Sequence, residues 1–204
     1  MTDIQWTWFD KRPLERPLHR PSLSHTQHDT QRHFWVTVTA FPHPAMALWS
    51  AAHGLHGACI IAPDQWHEQN DGCERILPHL WTQFCLTMEK TEPDMVQHIG
   101  HVATFKEPGP YTRLRMGRAF ASGLAMGLNA HYCEWSVFDV VPWGIPGPVA
   151  VHIGLNRWVV DNDNTEAHNV DHHTRISSET CTPDHSIHSM EQLFIHAINH
   201  GVVP

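Results

Sequence analysis

Residues 107–127, EPGPYTRLRMGRAFASGLAMG, constrain the fold of this chain more than any other stretch. A Pro-Gly turn runs without a linker into an apolar segment studded with small residues. Residues 107–110 have the composition of a tight loop, and Pro110 suits a first helical turn, where its missing N–H costs little. From Thr112 onward a helix is predicted. Met116, Phe120, Leu124 and Leu128 recur every four residues, with Ala119, Gly123 and Gly127 as a small-residue stripe beside them. Gly inside a helix costs about 1 kcal/mol relative to Ala, so a helix carrying Gly117, Gly123 and Gly127 needs a reason. Close approach of another helix backbone to a face without Cβ atoms is that reason. Gly123-x-x-x-Gly127 is also a membrane dimerisation pattern, but Arg113, Arg115 and Arg118 leave too short an apolar run to span a bilayer. The segment reads as a soluble, packing-dedicated helix.

The sequence around it reads as a mixed α/β layer. Residues 34–40, 45–51 and 57–62 are short apolar runs separated by Pro- and Gly-containing turns, the pattern of a strand meander. Residues 73–88 are helical in pattern, with Ile76, Leu80 and Phe84 on one line and Leu77, Trp81, Cys85 and Met88 on the next. Pro78 places the helix start near Arg75. Residues 99–105 and 132–138 complete the set as strands, with His98 and His101 placed on the first of them, facing opposite ways. Three domains of organisation follow. Residues 1–33 read as an irregular or disordered extension, with docking of Trp6, Trp8 and Phe9 as a short anchor the alternative. Residues 34–141 form the α/β lobe. Residues 142–204 hold a Pro/Gly linker, a hairpin from 149–153 and 157–160, a polar irregular stretch over 161–183, and a last helix over 189–199.

Composition narrows function. A formal charge of −8 argues against a protein that grips nucleic acid alone, because Lys and Arg dominate phosphate binding. The 20 histidines make that balance pH-sensitive, since protonating half of them moves the charge to about +2. The five cysteines are scattered and odd in number, which fits free thiols in a reducing cytoplasm. No segment has the length and apolarity of a signal peptide or membrane span. Cytoplasmic localisation and no membrane association are expected. Histidines offer the main candidate for bound metal: His168, His172 and His173 cluster with Asp171, and His185/His188 and His196/His200 have chelating spacing. Such spacings arise readily by chance in a His-rich chain, and neither an H-E-x-x-H motif nor a cysteine pair completes a site. No nucleophile elbow or Cys/His signature supports a hydrolase. No catalytic residue and no cofactor are expected.

The loop–helix segment resembles the signature of the bacterial TsaB (YeaZ) family, partner subunits in tRNA threonylcarbamoyladenosine synthesis. That family typically reads GPGSFTGVRIG, then A-x-GLA-x-G. The chain keeps Pro108, Gly109, Thr112, Arg115, Gly117, Ala121, Gly123, Leu124, Ala125 and Gly127. Ala47-Leu48-Trp49 matches the family's second strand, Arg75-Ile76-Leu77-Pro78 its first long helix and Ser136 the strand after the glycine helix, so the likeness spans residues 34–138. The resemblance implies an actin/Hsp70/sugar-kinase-like (ASKHA, ribonuclease H-like) lobe with a mixed sheet, here with a reduced second lobe. It also implies a non-catalytic scaffold that binds a TsaD-like transferase, with a TsaE-like ATPase completing the machinery and tRNA reached only through the complex. The family pairs through two long helices, which maps the partner surface onto Ile76, Leu77, Leu80 and Phe84, and onto Met116, Ala119, Phe120, Gly123 and Leu124. The same face would serve a homodimer. Departures are specific. Val38 stands where the superfamily has its first-strand Asp, Glu107 and Arg113 replace two loop glycines, and Gly72 stands where a His is common. Pro108, Gly109 and Thr112 are what remains of a nucleotide loop. A carboxylate beside a phosphate site repels the ligand, so independent ATP hydrolysis is not expected. The alternative reading is a His-rich metal-binding or diverged interaction protein outside tRNA modification.

Overall fold

The computed structural model describes residues 7–8, 34–41, 43–50, 54–61, 72–91, 94–140, 149–155, 157–160, 174–176 and 190. The meander is present. Strands β2 (Phe34–Thr39), β3 (Ala45–Ser50) and β4 (Gly54–Ile60) pair antiparallel in sequence order, with Trp35 opposite Trp49 and Thr37 opposite Ala47. Ahead of them, β1 (Thr7–Trp8) adds antiparallel to β4, Thr7 opposite Ala58. This corrects the expectation of an irregular extension at these two residues: β4 offers an open edge, and a strand there satisfies its backbone donors and acceptors. After helix α1 (Cys73–Thr91) and a short 3-10 turn at Met95–His98, strand β5 (Ile99–Glu107) returns parallel to β2. Helix α2 (Tyr111–Leu128) then leads into β6 (His131–Ser136), parallel to β5, followed by the single-turn helix α3 (Val137–Val140). The sheet order is β1-β4-β3-β2-β5-β6. His98 therefore ends the 3-10 turn instead of lying in the strand, because Asp94–Gln97 close a backbone turn ahead of it.

Period-2 alternation divides the core in two. Val36, Val38, Met46, Leu48 and Val102 pack with α1 and α2 on one face. Trp35, Ala45, Ala47, Trp49, Ala103 and Phe105 form the other. Every residue of β3 is buried, the mark of a strand covered on both sides. The second face is covered by a smaller sheet ordered β8-β7-β9, with Val149 and Val151 of β7 and Met190 in its core. Here β7 (Val149–Gly154) and β8 (Arg157–Val160) form the expected hairpin, while β9 (Thr174–Ile176) pairs parallel to β7. That third strand corrects the reading of 161–183 as wholly irregular; three residues are too few for alternation to register.

Several polar groups buried on the two faces of the sheet are paired. Trp49 Nε1 donates to Thr37 Oγ1 at 3.1 Å, Thr39 Oγ1 donates to the His43 carbonyl at 3.1 Å, and His56 Nε2 lies 2.8 Å from Ser50 Oγ. His101 is buried in a stack, 4.3 Å between ring centroids from Trp35 and 5.2 Å from His131. Cys59 and Cys133 are buried free thiols, pushed up to about 12 and about 11 by the loss of solvent around them. Among the described residues no helix is long and apolar enough to cross a membrane.

Candidate functional site

Strand β5 delivers the chain to the Pro-Gly loop at the edge of the helix layer. Glu107 is exposed, and the Glu107–Pro108 bond is cis. Pro108 and Gly109 are half-buried. Gly109 turns toward the core: a Cβ there would lie 3.1 Å from Leu114 and 3.2 Å from Phe41. Its small size serves packing of the loop on the first helical turn. Pro110 then caps α2 with extended backbone and no side-chain cap, and Leu114 N donates to the Pro110 carbonyl at 3.0 Å. Thr112 is exposed on the first turn.

The faces of α2 are well separated. Leu114, Gly117, Ala121 and Ala125 are buried. Gly117 faces backbone, though of the segment after β2 and not of a helix as expected: a Cβ on it would lie 3.4 Å from the Ala40 nitrogen. Met116, Phe120 and Leu124 are partly buried and pack on the edge of the helix-side core. Ala119, Gly123 and Gly127 face outward, with Met126 beside them 82% exposed. No atom lies within 4 Å of where a Cβ on Gly123 or Gly127 would stand. The helix closes on Asn129 in the left-handed region (φ 53°), and Ala130 N donates to the Ala125 carbonyl at 2.9 Å. A surface triad ties α2 to β6. Tyr132 Oη donates to Glu134 Oε1 at 2.6 Å, and Arg118 pairs with Glu134 Oε2 at 3.0 Å.

Helix α1 does not match the mapping. Ile76, Leu77, Leu80 and Phe84 are at most 4% exposed and pack on Val36, Val38, Met46 and Leu48. These four are therefore the inward face of α1 and are not available as a partner surface. The reason is elementary: α1 lies over the apolar face of the meander strands beside α2, so its widest stripe turns inward. Of the nine residues mapped to a partner surface, Ala119 and Gly123 stand exposed, while Met116, Phe120 and Leu124 are shared between core and rim. Val38 is buried in β2, with Met46 opposite, in a wholly apolar setting. His168, His172, His173 and the remaining histidine pairs lie outside the described residues, as do the linker and, apart from Met190, the last helix. Among the described residues no group of three or more His, Cys, Asp or Glu is placed to hold a metal ion.

Sequence reasoning missed a cleft. Thr112, Tyr111 and Arg113 of α2 face the β7–β8 hairpin across an open space of about 460 Å³, with Gly72 and Glu74 at the start of α1 on its border. The signal available was Gly154-Leu155 between two β-rich runs, a turn that brings Ile153, Gly154, Leu155 and Arg157 to one cleft.

No protein-family model matches the chain, and no curated protein matches it. Among solved structures, the chain is similar to an uncharacterized protein with similarity to peptidase YeaZ from Pseudomonas aeruginosa, at 14% identity over 62% of this chain and 56% of that one, with a TM-score of 0.45. It is also similar to YeaZ from Pseudomonas aeruginosa, at 19% identity over 53% of this chain and 46% of that one, with a TM-score of 0.35. The chain spans about half the length of these structures.

Proposed function

We propose that the chain is a non-catalytic, TsaB-like scaffold that binds and supports a TsaD-like transferase in threonylcarbamoylation of tRNA adenosine, within an ASKHA-type lobe. The observation that carries this reading is the outer face of α2. Two glycines, Gly123 in the helix interior and Gly127 in its last turn, stand in open space, next to Ala119 and the exposed Met126. Gly123 costs the isolated fold about 1 kcal/mol against Ala and gains it nothing in internal packing. A second helix backbone laid against this face would recover that cost through close contact and burial of Met126, at about 25 cal/mol per Å². The ten signature positions kept from Pro108 to Gly127 support the same reading. The sheet order supports the lobe: a three-strand antiparallel meander with two parallel strands joined by helices on one face. The partner surface is thereby redrawn as Ala119, Gly123, Met126 and Gly127, with Phe120 and Leu124 at its rim. A TsaE-like ATPase joins only through the complex, in a cytoplasmic setting.

The test is co-purification with the TsaD-type subunit of the same organism. Wild type should form a stable complex, and Gly123→Leu and Met126→Asp should each abolish it without unfolding the chain, Gly123→Leu raising its thermal stability slightly, since position 123 is open and Met126 is 82% exposed. A folded wild-type chain that captures no transferase, or a complex indifferent to both substitutions, refutes the assignment.

A further inference from the structure

The β7–β8 hairpin turns over the N-terminal end of α2, and the cleft between them, about 460 Å³, has the size of a small-molecule site. Its walls carry two chemistries. Tyr111 and Met116 on the helix side face Ile153 and Leu155 on the hairpin side. Among the described lining residues, Arg113 and Arg157, one from each wall, are the cations and Glu74 the carboxylate. The rim is unusual in itself. Tyr111 is 72% exposed and Leu155 is 90% exposed, two of the four large exposed hydrophobic side chains among the described residues. Leu155 also holds φ 49°, a left-handed conformation that Asn or Gly adopts at far less cost than a bulky apolar residue. Folding alone favours Leu155 neither in backbone nor in solvation, and strain of this kind concentrates where a ligand is held. Helix α2 opens toward the cleft without a side-chain cap and without an acidic residue in its own first turn, so its positive dipole end faces the space.

We propose that this cleft binds a small amphipathic anion. Its apolar body sits between Tyr111 and Leu155, and its single carboxylate or phosphate is held by Arg113 and Arg157 at the start of α2. The outer face of α2 takes no part, so this site stands or falls independently of any partner subunit.

The test is a fluorescence titration of the full chain with 8-anilinonaphthalene-1-sulfonate, an aromatic body bearing one anionic group. One saturable site is expected, from which both decanoate and decyl phosphate displace the dye; the tighter of the two identifies the preferred anion. Decyltrimethylammonium and inorganic phosphate, which each carry half of the chemistry, should displace it at least tenfold less well. Arg157→Glu should weaken dye binding about tenfold or more, through loss of a charge-assisted contact and a new repulsion. Leu155→Asn should weaken binding yet raise the urea midpoint, because it removes the apolar rim and relieves the backbone together. Both side chains are exposed, so both variants should fold. Dye binding unchanged in both variants, equal displacement by the cation, or displacement by ADP in preference to decanoate would overturn the proposal.

Discussion

Helices α1 and α2 cover the same face of the same sheet and are nearly equal in length, 19 and 18 residues, yet they meet their surroundings differently. Helix α1 turns large side chains inward, with Leu80, Phe84 and Met88 fully buried. Its outer face is Glu74, Arg75, Pro78, Thr82, Glu89 and Lys90, an ordinary solvated surface apart from Leu86. Helix α2 approaches β5 on small residues, Gly117, Ala121 and Ala125, and leaves small residues outside as well. An amphipathic stripe states that one face of a helix is buried; it does not state against what. On α1 the sheet consumes the whole stripe. On α2 the sheet consumes the small residues at 117, 121 and 125, and those at 119, 123 and 127 remain.

The largest expected break of this comparison lies in α1. Phe84→Ala should destabilise the fold by about 3–5 kcal/mol, and Leu80→Ala by about 2–5 kcal/mol, read as a drop in urea midpoint at constant m-value. A partner-facing Phe84 would instead leave the isolated chain's stability within about 0.5 kcal/mol of wild type. The glycines of α2 sharpen the contrast, because their substitutions should differ in sign. Gly117→Leu should cost about 1–3 kcal/mol, since a side chain beyond Cβ meets the Ala40 backbone and Thr104. Gly123→Ala should gain about 1 kcal/mol in the isolated chain, where nothing opposes the added methyl. Equal effects at the two positions would show that the faces of α2 are not divided as described.

This division explains what was legible in the sequence. Strand and helix positions were readable because the apolar runs at 34–40 and 45–51 are bounded by turn residues and the four-residue period in α1 and α2 is long enough to register. Gly117 was readable as a close-approach glycine, though not its neighbour, since the contact with Ala40 joins residues far apart in the chain. The inward turn of Ile76, Leu77, Leu80 and Phe84 was not readable from periodicity, because a core face and an interface face have the same period. The cleft was hidden for a related reason. Tyr111, Arg113, Leu155 and Arg157 are ordinary residues in sequence, and only the packing of a hairpin against a helix end makes them neighbours.

The smallest effect expected concerns how α2 is fastened to β6, and it depends on pH. Burial, and then its hydrogen bond to Glu134, hold the Tyr132 phenol well above its ordinary value of 10.0. The folded chain thus keeps a proton that the unfolded chain releases, so stability is full below pH 10 and falls as pH rises beyond it. The thiols of Cys59 and Cys133, raised from 9.0 to about 12 and about 11, act in the same direction from about pH 9 upward. Burial, and then Glu89, raise the Cys85 thiol too, so a simple alkaline titration mixes at least four groups. Tyr132→Phe separates them: it removes the phenol and leaves the thiols in place. At pH 8 the variant should be less stable by about 0.5–1.5 kcal/mol, the net worth of one hydrogen bond. As pH rises past 10 the gap should close, because wild type loses the contribution that the variant never had. Arg118→Ala should cost less, about 0–1 kcal/mol, since its pair with Glu134 lies at a half-exposed surface. A gap that stays constant from pH 8 to pH 11 would mean that Tyr132 supports the α2–β6 junction through packing of its ring and not through its hydroxyl.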